Sequence, residues 1–319
     1  MDKIIITGGA GFIGSHVCER LLDEGRYVVC VDDFNDYYRP EIKERNIKNC
    51  LKSNRFSLHR LDIRDENKLD TVFKKEKIDK IIHLAARAGV RASLKEPQLY
   101  FSVNIGGTLN LLDMARRHKI SQFIFSSSSS VYGTNKKIPF SEEDKAGNQV
   151  SPYAVSKKVA ELLCHSYSKI YKLRVICLRL FTVYGPRGRP DMAPYKFTEK
   201  ILNQQAIEMY GNGSSQRDYT YVGDIVEGIV KTLSCEREFE IINLGNSEPV
   251  KLIEFINIIE DLLGKKADII QKPMPRGDVP ITYADNSKAS KILNWRPKTD
   301  IMEGMKRFIA WYRLESKSG

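Results

Sequence analysis

Along its first half the chain repeats one rhythm, in which short unbroken apolar runs are separated by longer segments whose apolar residues recur every three or four positions. Lys3 to Thr7, Tyr27 to Val31, Phe56 to Leu61, Ile78 to Leu84, Gln122 to Ser126 and Arg174 to Leu180 read as strands. The intervals carry helical spacing, as in Val17, Leu21 and Leu22 behind the first run. Strands that alternate with helices form right-handed crossover units, and parallel strands covered on both faces lack the in/out alternation of a half-exposed sheet. The pattern predicts an α/β fold, a Rossmann-type doubly wound parallel sheet over residues 1–181. After Phe181 the rhythm breaks into a Gly, Pro and Arg rich stretch, Tyr184 to Pro194, followed by shorter elements and by Pro273, Pro275 and Pro280. We assign most of 182–319 to a smaller α/β substrate-binding lobe, with a segment at 218–246 returning to the first domain. No repeat of 20 to 50 residues is present, which excludes a solenoid or propeller.

Composition narrows the class. The 319 residues are 42% hydrophobic and 29% charged, as in an ordinary globular protein. No apolar run approaches the ~20 residues of a membrane span, and Met1 is followed almost at once by a strand, so neither a membrane anchor nor a signal peptide is expected. Cys18, Cys30, Cys50, Cys164, Cys177 and Cys235 are scattered, with no C-x-x-C pair and no zinc spacing; a reducing cytoplasm and no structural metal follow. The formal charge of +11 raises the question of nucleic acid. Lysine and arginine are interspersed with acidic residues, however, and a small anionic ligand is the expected partner.

The first strand runs straight into a glycine cluster, Thr7-Gly8-Gly9-Ala10-Gly11-Phe12-Ile13-Gly14, and then into a helix. Glycine permits the tight turn and lets backbone N–H groups approach a pyrophosphate at the positive end of the helix dipole. The second strand ends in Asp32, near the offset at which a carboxylate receives the adenosine ribose hydroxyls and repels a 2'-phosphate. NAD is therefore expected rather than NADP. Asp62, after the third strand, either contacts adenine or caps the helix that follows.

Ser151-Pro152-Tyr153-Ala154-Val155-Ser156-Lys157 opens an amphipathic helix with Tyr153 and Lys157 one turn apart on one face. A phenol is a poor base at neutral pH, and lowering its pKa by about three units needs ~4 kcal/mol. The spacing predicts that the Lys157 ammonium, together with the cationic nicotinamide ring, provides it. The fifth strand runs into five consecutive serines, Ser126 to Ser130, at the sheet edge where ligands of open parallel sheets bind.

Together these segments resemble an extended short-chain dehydrogenase/reductase, and within that superfamily the nucleotide-sugar 4-epimerases, most closely the UDP-glucuronate 4-epimerase family. The likeness covers nearly the whole chain. It implies Ser128 as the catalytic hydroxyl before Val131-Tyr132-Gly133, Tyr153 as base, and Lys157 as its modulator and ribose contact. The candidate cofactor contacts are Gly8, Gly11, Phe12, Ile13, Gly14, Asp32, Asn35, Lys43, Asp62, Ile63, Leu84, Ala85, Ala86, Asn104, Tyr153 and Lys157. Asp32-Asp33-Phe34-Asn35-Asp36-Tyr37-Tyr38 and Phe181 to Met192 are similar to the uronate-specific versions of their loops. Arg187 and Arg189 offer charge-assisted partners for a carboxylate; the resemblance assigns Arg189 and Thr182 to it. For the nucleotide, Tyr210 would stack on uracil, Arg217 and Arg276 would hold the diphosphate, and Asp278 the ribose, with Arg91 a further substrate contact. The family's R-x-G-D pattern is altered, because Pro275 stands where its arginine is expected and Arg276 directly precedes Gly277. Thr282 is placed near the sugar. A UDP-sugar substrate, a uronate by preference, and a homodimer through helices around Leu99 to Arg117 and Tyr153 to Ile170 are implied.

The alternatives are a UDP-glucose 4-epimerase, a nucleotide-sugar dehydratase or decarboxylase, and a non-catalytic NAD sensor. Dehydratase-like relatives carry carboxylates just before the Val-Tyr-Gly segment, where this chain has Ser128, Ser129 and Ser130. A sensor can dispense with the Tyr153 and Lys157 pair, which is intact.

Overall fold

The computed structural model describes residues 2–274 and 278–318. Strands β1 (Lys3–Thr7), β2 (Tyr27–Asp32), β3 (Phe56–Arg60), β4 (Lys80–His83), β5 (Gln122–Ser128) and β6 (Arg174–Leu180) follow one another with helices between. Strands β7 (Thr182–Tyr184), β8 (Ile207–Tyr210) and β9 (Gln216–Tyr221) then leave the sheet, β10 (Phe239–Leu244) rejoins it, and β11 (Pro249–Lys251) and β12 (Ile269–Lys272) lie beyond.

The main sheet is parallel throughout, in the order β10-β6-β5-β4-β1-β2-β3. The chain winds from β1 out to β3, then crosses back to β4 and out to β6. That reversal opens a crevice beyond the carboxyl ends of β1 and β4, where a ligand can enter. Register sharpens it: Thr7 lies opposite both Val31 and His83, so Gly8, Asp32 and Leu84 emerge together at one edge.

Both faces of the sheet are covered. Ile4 and Ile6 pack into one core and Ile5 into the other, all fully buried, so the period-two geometry of the strand survives under a continuous apolar sequence. The helix Phe12–Asp23 and the later helix Val222–Thr232 share the first of these cores through Val17, Ile225 and Val226. The second lobe has a separate core around Phe197, Ile207, Phe255, Ile259 and Phe308, under a three-stranded sheet β11-β9-β7 and a parallel pair β12-β8.

The expected helix over Leu99 to Arg117 is interrupted. A short turn Pro97–Phe101 passes through a wide π-type turn, Ser102–Gly106, into the helix Gly107–Arg117. Within the wide turn Asn104 is buried and its amide donates to Arg87 O at 2.9 Å and to Ser156 Oγ at 2.9 Å, while its oxygen accepts from Arg87 N at 2.8 Å.

Candidate active site

The glycines after β1 are required by space. Gly8 has φ +70°, and a Cβ there would lie 2.8 Å from Ala85 N; one on Gly14 would lie 2.1 Å from Gly8 O. Only bare backbone fits between the turn and the start of Phe12–Asp23. No side chain caps this helix, so its first N–H groups and positive dipole end meet the cleft that Gly11, Phe12, Ile13 and Gly14 line. At the end of β2 Asp32 is 5% exposed. Its carboxylate accepts from Ala10 N at 3.2 Å, Phe34 N at 2.9 Å and Lys43 Nζ at 3.2 Å. Burial raises its pKa, and the Lys43 charge opposes that rise. Asp32 is thus both a turn acceptor and a buried charge at the cleft wall. Asp62 is gripped by the Arg64 guanidinium and accepts from Arg64 N at 2.8 Å. It does not cap the next helix; Asp65 does, accepting from Lys68 N at 3.1 Å.

On the other side, the helix Pro152–Tyr171 is N-capped by Ser151, whose hydroxyl accepts from Ala154 N at 3.1 Å. That fixes the first turn, which carries Tyr153. Three successive residues at the end of β5 meet this helix. Ser126 O accepts from Lys157 Nζ at 2.7 Å, Ser127 Oγ donates to Glu161 Oε1 at 2.7 Å, and the Ser128 hydroxyl lies beside the Tyr153 phenol. The Tyr100 ring stands edge-on to Tyr153 at 6.2 Å. Burial raises the Tyr153 pKa, while Ser128 and the Arg189 charge pull it down. Lys157 follows Tyr153 by one turn of the helix. Its ammonium is drawn to the Ser126 carbonyl, and its own pKa falls to about 8 through burial.

The arginine loop splits. Arg189 lines the cleft beside Thr182, with Nε 3.0 Å and Nη2 2.7 Å from the Asp191 carboxylate and its guanidinium 5.2 Å over the Tyr37 ring. Arg187 turns away, donating to Glu19 at 2.7 Å, so the expectation that both arginines face a substrate carboxylate is corrected. At the far end Arg91 lies 4.2 Å over the Tyr210 ring and donates to Asp278 at 3.0 Å, and Arg217 Nη2 stands 4.0 Å from Asp278. The glycine loop, Asp32, Ser128, Tyr153, Lys157, Arg189, Arg91, Tyr210, Arg217 and Asp278 line one cleft of about 1030 Å³.

A protein-family model described as GDP-mannose 4,6 dehydratase matches residues 5–308. The chain belongs to the GDP-mannose 4,6 dehydratase family. It is 43% identical over 312 residues to a UDP-glucuronate 4-epimerase of Thermodesulfobacterium geofontis, covering 98% of this chain and 96% of the relative. Among solved structures it is similar to the UDP-glucuronic acid 4-epimerase of Bacillus cereus in complex with UDP-glucuronic acid and NAD, with a TM-score of 0.93, 36% identity, and coverage of 98% and 99% of the two chains. It is also similar to a UDP-glucose 4-epimerase of Thermotoga maritima with UDP-glucose, with a TM-score of 0.91, 30% identity and the same coverage.

For this member of the GDP-mannose 4,6 dehydratase family, nearly every candidate residue named from the sequence lines the cleft, including Asn35, Lys43, Ile63, Leu84, Ala85 and Ala86. Asn104 is the exception and a correction: its amide is consumed by Arg87 and Ser156 behind the wall. Thr282 is likewise set aside, since it is buried and accepts from Asp218 N at 3.1 Å. Arg276 falls outside the described residues. Three residues went unassigned from sequence. Tyr37 lines the cleft and donates to Ala88 O at 2.6 Å, Asp191 pairs Arg189, and Glu161 holds Ser127. The signals were present only as an acidic residue two places after Arg189 and another one turn after Lys157. No group of three or more metal-ligating side chains occurs among the described residues.

Proposed function

We propose that this chain is an NAD-dependent UDP-sugar 4-epimerase that interconverts UDP-glucuronate and UDP-galacturonate through a transient 4-keto sugar. One observation carries the reading: Ser128 and Tyr153, side by side, share with Arg189 the cleft that also takes in the glycine loop and Asp32. The open helix N-terminus suits a pyrophosphate and the Asp32 carboxylate a ribose diol, so the residues fit NAD. NAD, when bound, takes up the C4 hydride of the sugar and returns it.

The protein's own groups handle protons and orientation. Tyr153 accepts the proton of the sugar 4-hydroxyl, with the neighbouring Ser128 hydroxyl as its relay, and gives it back when the carbonyl is reduced from the other face. Such assistance is worth ~10²- to 10⁴-fold. Arg189 and Thr182 hold the C6 carboxylate while the ring turns. Arg91, Tyr210, Arg217 and Asp278 keep the nucleotide fixed, so the sugar alone rotates. Arg91 covers one face of the Tyr210 ring, so a base stacking on that face displaces Arg91.

The absence of any carboxylate at Ser128, Ser129 and Ser130 argues against elimination chemistry. The Arg189 guanidinium, in a site that a neutral hexose would leave unpaired by substrate, favours the uronate over UDP-glucose. No helix among the described residues is long and apolar enough to cross a membrane. All six cysteines are buried free thiols, the state a cytoplasm maintains, and we place the protein there. A homodimer would cover Leu109, Leu162, Ile170 and Tyr171, which stay exposed on the helices Gly107–Arg117 and Pro152–Tyr171 although the opposite faces pack on the sheet.

The deciding experiment incubates the protein with a panel of UDP-sugars and resolves the products. Selective conversion of UDP-glucuronate, with deuterium at C4 retained in the product, is expected. Equal turnover of UDP-glucose, or loss of the label to water, would overturn the reading.

A further inference from the structure

Arg187 and Arg189 sit two residues apart and perform separate tasks. Arg187 Nη2 donates to Glu19 Oε1 at 2.7 Å, across 168 positions of sequence, and the preceding carbonyl, Pro186 O, accepts from His16 Nε2 at 2.9 Å. His16 and Glu19 are neighbours one turn apart on Phe12–Asp23, the helix whose N-terminus lines the glycine end of the cleft. The arginine loop is therefore bolted to that helix at two successive residues.

The loop cannot hold this shape on local preference alone. Gly185 has φ +139° and Arg187 φ +63°, and Gly188 N donates back to Gly185 O at 3.0 Å, so the chain reverses within four residues. A non-glycine residue in the left-handed region persists where its surroundings impose it. Here the surroundings are Glu19 and His16. His16 is kept neutral by burial and then by the Arg187 charge, which bring its pKa to about 4, so Nε2–H remains a donor to Pro186 at ordinary pH. Arg189 emerges directly after this reversal and enters the cleft.

We propose that Glu19, Arg187 and His16 form a positioning strut that sets Arg189 against the sugar, and so decides how strongly an acidic sugar is preferred to a neutral one. The inference rests on the reading that Arg189 receives the C6 carboxylate. None of the three residues lines the cleft, so each acts through Arg189. A paired guanidinium and carboxylate demands tight placement, and a displacement of ~1 Å can cost up to 10²-fold. Nucleotide contacts at Tyr210 and Arg217, on other strands, do not depend on this loop.

The test uses the full chain with its cofactor and the variants Arg187→Met and Glu19→Gln, the latter nearly isosteric and the safer for folding. Dissociation constants for UDP-glucuronate and UDP-glucose are measured by calorimetry, with KM and kcat for the uronate. Each variant should weaken UDP-glucuronate about tenfold, mainly in KM, leave UDP-glucose within twofold, and retain NAD. The double variant should be no worse than either single one, because the two residues act as one unit. Equal weakening of both sugars, or no change in either, would overturn the strut. Arg189→Met separates the two claims. If it leaves the preference for the uronate intact, the carboxylate reading itself fails; if it removes the preference while the strut variants do not, only the strut fails.

Discussion

Ser127 Oγ donates to Glu161 Oε1 at 2.7 Å, and Glu161 is in turn held by Arg179 Nε at 2.8 Å and Nη2 at 2.9 Å, all three residues being buried. The contact lies between the two on which the proposed proton transfer rests, Ser126 with Lys157 and Ser128 beside Tyr153. It fixes the spacing between the end of β5 and the catalytic helix. Ser127→Ala keeps the ion pair and removes only the tether. It should cost about 1 kcal/mol of stability and lower kcat about tenfold with little change in KM. Steady-state kinetics with an unaltered kcat would remove Glu161 from any role in positioning. Glu161→Gln should cost more, about 3–5 kcal/mol, because it leaves the Arg179 charge buried without its partner.

Lys157 carries a stability cost that serves function. Its folded pKa of about 8 is below the ordinary lysine value of 10.5, so below pH 8 the fold bears a buried ammonium that the unfolded chain solvates freely. The penalty is roughly 3 kcal/mol, offset in part by the Ser126 carbonyl. Between pH 8 and 10.5 the unfolded chain holds the extra proton, so stability rises with pH through that window. Lys157→Met should abolish turnover when NAD is supplied, yet the cofactor-free variant should melt no lower than the cofactor-free parent at pH 7 and should lack the alkaline rise. A large drop in melting temperature at pH 7 would refute this account.

The glycine loop and the catalytic helix were legible because their constraints are local. A strand buried on both faces must be continuously apolar, a turn against Ala85 must be glycine, and Tyr153 and Lys157 share a helix face by spacing alone. What the sequence could not convey was the partner of each charge. Lys157 shares a helix face with the Tyr153 phenol, but its hydrogen bond goes to a carbonyl at a strand end 31 positions distant. Arg187 and Arg189 are chemically identical in the sequence, and only the folded position of Glu19 assigns one outward. Asn104 has the residue type of a ligand contact, and the π-type turn spends it on backbone instead. These are tertiary facts, and spacing does not encode them.

Two histidines, His83 buried and His16 half-buried, make the fold less stable in acid. His83 bridges Thr7 Oγ at 2.7 Å and Thr108 Oγ at 2.9 Å, and burial lowers its pKa to about 3; His16 falls to about 4. Both lie below the unfolded value of 6.5, so their contribution is intact above pH 6.5 and is lost as pH falls toward the folded values. At pH 5 each should cost about 2 kcal/mol relative to pH 7. His83→Gln should reduce the loss between pH 7 and pH 5 by about half, whatever it does to stability at pH 7. Denaturant melts at the two pH values measure this, and an unchanged difference would rule His83 out as a source.

We propose that cofactor choice rests on the Asp32 carboxylate, with Lys43 as a latent rival beside it. Lys43 Nζ, 6% exposed, stands 3.2 Å from Asp32 and 3.8 Å from Asp33, at the wall where the adenosine ribose would lie. With Asp32 ionised, a 2'-phosphate meets a negative charge already satisfied by Lys43. With Asp32→Asn that charge is gone, and Lys43 keeps its longer contact to Asp33 at 3.8 Å and its place 5.4 Å over the Tyr38 ring. Two consequences follow from the same loss. The variant should be destabilised by about 3–5 kcal/mol, because a buried ammonium has lost its closest counter-charge. A 2'-phosphate can then supply the missing charge, so the preference for NAD over NADP should fall by at least about tenfold. NADP should also raise the melting temperature of the variant more than NAD does, reversing the order in the parent. If the variant folds and still prefers NAD by the parental ratio, discrimination lies elsewhere in the loop between Asp33 and Tyr38.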